Sequence, residues 1–479
     1  MKTICLYFEI HQMVHLKRYR FFDIGADHYY YDDYVNETNI AHVTANSYIP
    51  ALKTLIKMAN ESDGYFKVAL SISGVGIEQL ERYSPAVIDL LVELNATGCC
   101  EFLAEPYSHG LASLAKNGED GFCEETLRLA DKIYQLFGQK PTVFRNSSLI
   151  YNDEIGSRVA EMGFKGVLTE GAQHVLGWKS PHYVYHRKGN PDLKLLLRDI
   201  KLSDDISLRF SNPYWESYPL LCDTYMDWIA ALPKEEEVIN IFMELNALGL
   251  YQPLSSNILD FFKAMPKCAK KRGITFSTPS QVISERKSVA PLEILYPMSW
   301  TDEERDVSCW LGNVMQREAF SKLYSIGERV RLCNDKHIKQ DWDYLQASNY
   351  FRFMTTKHNS VTMDRGIYES PYDAFTNYMN ILGDFINRVH WALPPDMDIE
   401  ELNALQTTIQ NQDKKIQSLE RQISRLKAVN ESAKPSLKTE TKPKTIKPKT
   451  IKPKRVKKPK DKSDSGGVIK VENKNEKNE

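Results

Sequence analysis

The chain has no run of eighteen apolar residues, so no membrane-spanning helix is expected. Its eight cysteines, at 5, 99, 100, 123, 222, 268, 309 and 333, include no CxxC pair, and adjacent Cys99-Cys100 is a poor disulfide. They read as reduced core residues of a cytoplasmic protein. No glycine-rich phosphate loop follows the first strand, which argues against an open, doubly wound sheet. His11 and His15 stand four apart but follow a strand with an apolar step between them, which argues against a metal site built on paired histidines. The N-terminus carries Lys2, then Thr3 to Ile10 with a charge at Glu9 and His11 directly behind. That pattern is a core strand and not a signal peptide.

What the chain does contain is a regular alternation over its first 290 residues. Strand-like stretches occur at 3–10, 66–73, 99–104, 142–144, 166–169, 194–198, 238–244 and 274–277. They are short, rich in β-branched or aromatic residues, and bounded by polar or glycine positions. Amphipathic helical stretches lie at 47–60, 85–96, 124–137, 152–162 and 255–271. Strands alternating with helices predict parallel βαβ units, and the count suits a closed or nearly closed barrel of seven or eight strands. From 291 to 397 the pattern is helical. Trp310, Leu311, Val314, Met315 and Phe320, then Phe375, Tyr378, Met379, Leu382 and Phe385, recur at helical spacing and predict a bundle packed on the barrel.

Residues 398–430 form a third unit. Ile409, Ile416 and Ile423 occupy one heptad position and Leu405, Leu419 and Leu426 the other, with Gln412 the polar exception. Isoleucine at the first position with leucine at the fourth favours a parallel two-stranded coiled coil, which would make a homodimer through 400–428; four heptads are short, and a solitary packed helix is the alternative. The last unit, 431–479, repeats Lys-Pro-Lys-Thr-Ile at 442–446 and 447–451. Residues 442–462 hold eleven Lys/Arg and one Asp, so a formal net charge of -1 conceals an acidic body with a basic tail. Recurrent proline and mutual repulsion predict a disordered segment, either merely solvated or a tether to a polyanion.

The most informative stretch is Phe144-Arg145-Asn146-Ser147-Ser148-Leu149-Ile150-Tyr151. It follows a short apolar strand and precedes a helix starting near Asn152, where α/β barrels keep their chemistry. It resembles the nucleophile segment of α-amylase-type members of glycoside hydrolase family 57, which read Phe-Arg-Asn-Thr-Glu-Leu-Ile-Tyr. Other segments resemble the same family in order. They are His11-Gln12-Met13, Gly98 to His109 with Glu101 inside it, and Ile241-Phe242-Met243-Glu244-Leu245-Asn246. Trp310-Leu311-Gly312-Asn313 is close to the family's helical region. The resemblance covers about residues 1–392.

The resemblance implies a distorted (β/α)7-type barrel followed by an α-helical bundle, an α-glucan or maltooligosaccharide ligand, and no cofactor. It puts Ser148 at the nucleophile position and Glu244 at the acid/base position, where relatives carry Glu and Asp. It implies sugar contacts for His11, Glu101, His109 and Arg145. A retaining glycosidase uses two carboxyl groups roughly 5–5.5 Å apart, and a neutral serine hydroxyl replaces neither the charge nor the reach of one. The expectation is therefore an amylase-like protein that is catalytically impaired and glucan-binding. A relocated carboxylate, such as Glu105, Glu170 or Asp205, is the alternative for an active hydrolase or glucanotransferase. A scaffold dimerised by the coiled coil is the third. More modest roles stand beside each residue: His11 as a satisfied buried histidine, Glu101 and Arg145 as an ion pair, His109 on a solvated loop, Glu244 as a buried acid, and Ser148 as small filler.

Overall fold

Every residue of the first strand, Thr3–Ile10 (β1), is buried, as a parallel strand covered on both faces requires. In the computed structural model, which describes residues 1–116, 119–357 and 366–394 with isolated positions between 404 and 423, six more strands build on it. They are Val68–Ile72 (β2), Cys100–Phe102 (β3), Val143–Arg145 (β4), Gly166–Glu170 (β5), Asn190–Arg198 (β6) and Val238–Glu244 (β7). β1 pairs in parallel with β2 and with β7, β2 with β3, β4 with β5, and β5 with β6.

Two narrower seams close the ring. Between β3 and β4, the Ala104 amide donates to Val143 O at 3.1 Å and the Arg145 amide to Ala104 O at 2.8 Å. Between β6 and β7, the Asp199 amide donates to Asn240 O at 2.8 Å and Asn240 Nδ2 to Leu197 O at 2.9 Å. The result is a seven-stranded (β/α) barrel. The eighth strand candidate forms at Thr275–Phe276 but takes no place in the ring, because it pairs only with Thr3 and Ile4 at the start of β1. An excursion before β6 adds Tyr185–Arg187, antiparallel to β6, and Pro291–Leu292 pairs with that segment.

The barrel interior is apolar. Cys5, Tyr7, Ala69, Leu103, Val143, Leu168, Leu196, Val238 and Phe242 pack into one cluster, and the Tyr7 and Phe242 rings meet edge to face at 5.5 Å. Helices Ile49–Glu61, Pro85–Ala96, Glu119–Phe137, Asp153–Glu161 and Ile258–Lys271 match the predicted ones. Asn152 caps its helix by accepting from the Ile155 amide at 2.9 Å.

The helical region comprises Ser308–Leu311, Val314–Tyr324, Gly327–Leu332, Lys336–Leu345, Ser348–Phe353 and Pro371–Ala392. Trp310, Tyr378, Leu382 and Phe385 are buried as predicted. Val314 is not: it is 73 % exposed, because the Asn313 cap makes it the first residue of its helix. Barrel and helical region fall within one compact unit, Met1–Thr408, and Ile409–Glu479 is a second. The coiled coil and the basic tail lie outside the described residues except for isolated positions. Of these, Ile416, Leu419 and Ile423 are helical and about half exposed. All eight cysteines are free thiols, seven of them buried. Among the described residues no helix is long and apolar enough to cross a membrane.

Candidate active site

Side chains alternate along a strand, so the inward position above each apolar layer lies two residues on. Above Tyr7 comes Glu9, above Ala69 Ser71, above Leu103 Glu105, above Val143 Arg145, above Leu168 Glu170, above Leu196 Arg198, and above Phe242 Glu244. These seven polar residues crown the apolar interior at the carboxyl ends of the strands. Register couples them: Glu9 of β1 stands opposite Glu244 of β7 on one side and Ser71 of β2 on the other.

Arg145 is fully buried and centres the crown. Its Nη1 donates to Glu105 Oε2 at 2.9 Å, and its Nη2 contacts Glu9 Oε2. Glu105 also accepts from Ser71 Oγ at 2.8 Å, and that hydroxyl meets Tyr7 OH at 2.7 Å. Burial works against the Arg145 charge, yet Glu9, Tyr7 and Glu105 together hold its pKa above the usual value. Burial pushes Glu9 up to about 8; Arg145 pulls it down, and Glu244 and Glu105 push it further up. Burial likewise raises Glu105. Across the crown, Arg198 pairs with Glu170 at 3.3 Å and with Asp204. The Trp300 ring neighbours both guanidinium groups, 5.8 Å from that of Arg145 and 5.9 Å from that of Arg198.

A cavity of about 670 Å³ opens above this layer. Glu9, His11, His109, Ser148, Glu244 and Trp300 are among its walls. His11 and His109 stack with ring centroids 4.0 Å apart. His11 is fixed from both sides, by Ser73 Oγ at 2.7 Å and by Asn349 Oδ1 of the helical region at 3.2 Å. His109 Nε2 lies 3.4 Å from Glu9 Oε1. Burial lowers His11 to about 3 and His109 well below its ordinary value, so both rings are neutral near pH 7. Glu244 Oε2 accepts from the Tyr251 hydroxyl and from Asn246 Nδ2.

Ser148 follows β4 in a left-handed conformation, with φ 51 and ψ 30, and Leu149 follows with φ 56. Two successive non-glycine residues in that region are costly and are held by their surroundings. Here the Trp300 amide donates to Ser148 O at 3.2 Å.

Of the residues singled out in the sequence, His11, His109, Ser148 and Glu244 share the cavity wall, and Arg145 lies directly beneath. Glu101 stands apart from them. It lies four residues before Glu105, two layers down the barrel, where its carboxylate accepts from the Ser280 amide and hydroxyl, each at 2.9 Å. Arg145 pairs with Glu9 and Glu105 rather than with Glu101. Glu170 and Asp205 are engaged with Arg198 and Arg209. The sequence reading missed Glu9 as a cavity residue, although counting inward positions from Cys5 and Tyr7 leads to it.

Glu9, Glu105 and His109 each bring a ligand atom within 4.8 Å of the others, a spacing that suits a cation. Arg145 bonds both carboxylates there, so a side chain already supplies the positive charge.

With this geometry, comparison with known proteins is decisive. The family model described as "Glycosyl hydrolase family 57" matches residues 5–296. This chain belongs to glycosyl hydrolase family 57. A Methanocaldococcus jannaschii protein named "Putative alpha-amylase" is 37% identical over 372 residues, covering 74% of this chain and 78% of that one. Among solved structures, the 4-alpha-glucanotransferase of Thermococcus litoralis superposes with a TM-score of 0.58 at 14% identity, covering 80% of this chain. The chain spans only 59% of that enzyme's length. The GH57-type branching enzyme of Pyrococcus horikoshii gives 0.56 at 14% identity, covering 85% of this chain and 94% of that one. Both superpositions extend over 80% or more of this chain.

Proposed function

We propose that this family 57 chain binds α-glucan or maltooligosaccharide in the barrel-mouth cavity and is impaired as an amylase-type hydrolase. The names of its relatives point to α-glucan as the ligand class, and the aromatic, hydroxyl-binding walls suit a sugar. The single observation that carries the impairment is Ser148 in the cavity wall, at the position where the family resemblance calls for an attacking carboxylate. A serine hydroxyl cannot offset the positive charge of an oxocarbenium-like transition state, and among the described residues no histidine is hydrogen-bonded to it as a base. Glu244 retains a carboxylate open to the cavity. His11 and His109, both neutral, can donate to or accept from sugar hydroxyls.

A second reading, hydrolysis by a relocated pair, is favoured by one feature. Glu9 and Glu244 are register partners on adjacent strands, and both line the cavity. Adjacent strands lie roughly 4.7–4.9 Å apart, close to the carboxyl separation of retaining enzymes. Glu9, however, is 3 % exposed and bonded to Arg145, which leaves it little freedom to meet a substrate.

The two readings separate in one measurement on the purified full-length chain with maltoheptaose. The expected result is saturable binding by calorimetry with no release of reducing sugar. Release that Glu244→Gln abolishes would establish the second reading and overturn the first.

A further inference from the structure

We propose that Glu9 has taken over the place beside Arg145 that a carboxylate at position 148 would fill, so that acids at 9 and 148 exclude one another. Glu9 is then a positioning residue: it holds Arg145 through Oε2 and faces His109 through Oε1.

The argument begins with the guanidinium. A fully buried arginine must be matched by charge and hydrogen bonds, and losing a partner without replacement is strongly destabilising. Arg145 has two carboxyl partners, one on each Nη. Its Nε is buried and has no hydrogen-bond partner among the described residues. Position 148 lines the same cavity as Glu9, and Trp300 links it to the arginine. The Trp300 amide binds Ser148 O, and the Trp300 ring packs on the Arg145 guanidinium. A glutamate side chain there extends two heavy atoms further than serine into that cavity.

Charge then decides how many acids the site tolerates. One guanidinium already serves two buried carboxyls, and Glu244 stands next to Glu9. Carboxyl groups crowded round one guanidinium disfavour each other's charge, so each further acid is costlier to bury. A third carboxylate at 148 would stand beside two acids that already share the Arg145 charge. Replacing Glu9 by glutamine returns the count to two. Glutamine retains an oxygen to accept from Arg145, so removing the acid at 9 does not remove the contact. Serine at 148 and glutamate at 9 are, on this account, one linked exchange of a carboxyl group from β4 to β1. The proposal rests on the functional reading above only for the expectation that position 148 was once acidic; the linkage itself is electrostatic.

The test uses full-length wild type, Glu9→Gln, Ser148→Glu and the double variant, with Ser148→Gln and Glu9→Gln/Ser148→Gln as uncharged controls. The readouts are the thermal midpoint and maltoheptaose binding. Ser148→Glu alone is expected to lower the midpoint by roughly 5 °C or more. Adding Glu9→Gln recovers at least half of that loss and restores binding, while the two glutamine changes simply add. Additive effects of Ser148→Glu and Glu9→Gln overturn the proposal. So does an equal recovery in the uncharged pair, or a double variant that stays unfolded. Sugar release by the wild type would overturn the functional reading and leave these midpoints to judge the linkage on their own.

Discussion

Glu9 faces Arg145, Glu105, Glu244 and His109 within the crown, and its pKa near 8 has a consequence for stability. The folded state holds the proton above the ordinary carboxylate range, so between about 4.5 and 8 it binds more protons than the unfolded chain. Stability from this group is therefore present at low pH and falls as pH rises through that window. Glutamine cannot lose the proton, so Glu9→Gln is expected to flatten the curve. Urea midpoints measured from pH 5 to 9 check this, and parallel curves for the two proteins would contradict it. The neighbouring histidines are neutral in the fold and take up protons in the unfolded chain below their ordinary value of 6.5, which opposes this trend; both proteins carry them, so the difference between the two curves reports Glu9. Single residues were unevenly legible in the sequence. His11, Arg145, Ser148 and Glu244 stood in recognisable segments, and each reaches the barrel mouth. Glu101 and Glu105 belong to one such segment, and a motif does not say which of two acids four positions apart is higher in the barrel. Only strand register decides that, and it is set by partners distant in sequence.

Elements were easier to read than residues where the pattern was strong. All eight strand candidates formed, because short β-branched runs bounded by polar residues fit few alternatives. Helices Asp33–Val43 and Gly74–Tyr83 escaped for physical reasons. The first buries Asn36, Ile40 and Val43 among mostly polar neighbours and shows no apolar stripe; the second buries Val75, Ile77 and Leu80 but has two glycines, poor helix formers, in its first turn. The segment before Asp33 is held by one buried acid of the last long helix. Asp384 accepts from the Gly25 amide at 2.7 Å, from His28 Nδ1 at 2.8 Å and from the Tyr30 hydroxyl at 2.6 Å. Asp384→Ala leaves the buried Tyr30 hydroxyl without its acceptor and returns the Gly25 and His28 donors to water, and is expected to cost on the order of 2 kcal/mol. Equilibrium urea denaturation measures it, and a loss below about 1 kcal/mol would mean that water replaces the carboxylate. The bond from Asn349 to His11 shows the same logic at the cavity: the helical region fixes a barrel side chain that the sequence alone could not connect to it.

At the level of the whole molecule, the helical region is packed against the barrel mouth. The Ser348 amide donates to His109 O at 3.1 Å, and Tyr350 OH reaches Val14 O. The segments beyond residue 400 carry the remaining expectations from sequence, a dimer through the heptads and a polyanion contact at 442–462. Removing 400–479 should convert a dimer into a monomer by light scattering; a truncated chain that remains dimeric would assign association to another surface. The architecture was legible because alternation over 290 residues admits few topologies, whereas the closure through Ala104 and Asn240 depends on four hydrogen bonds that no local pattern announces. The closed ring has a further implication for how such a protein changes over time. Its floor is a dry plug shared by all the staves, while its rim offers roughly one letter per stave. Rewriting a letter at the rim leaves the plug untouched, so the penalty for changing chemistry falls on the neighbouring letters, which must be respelled together.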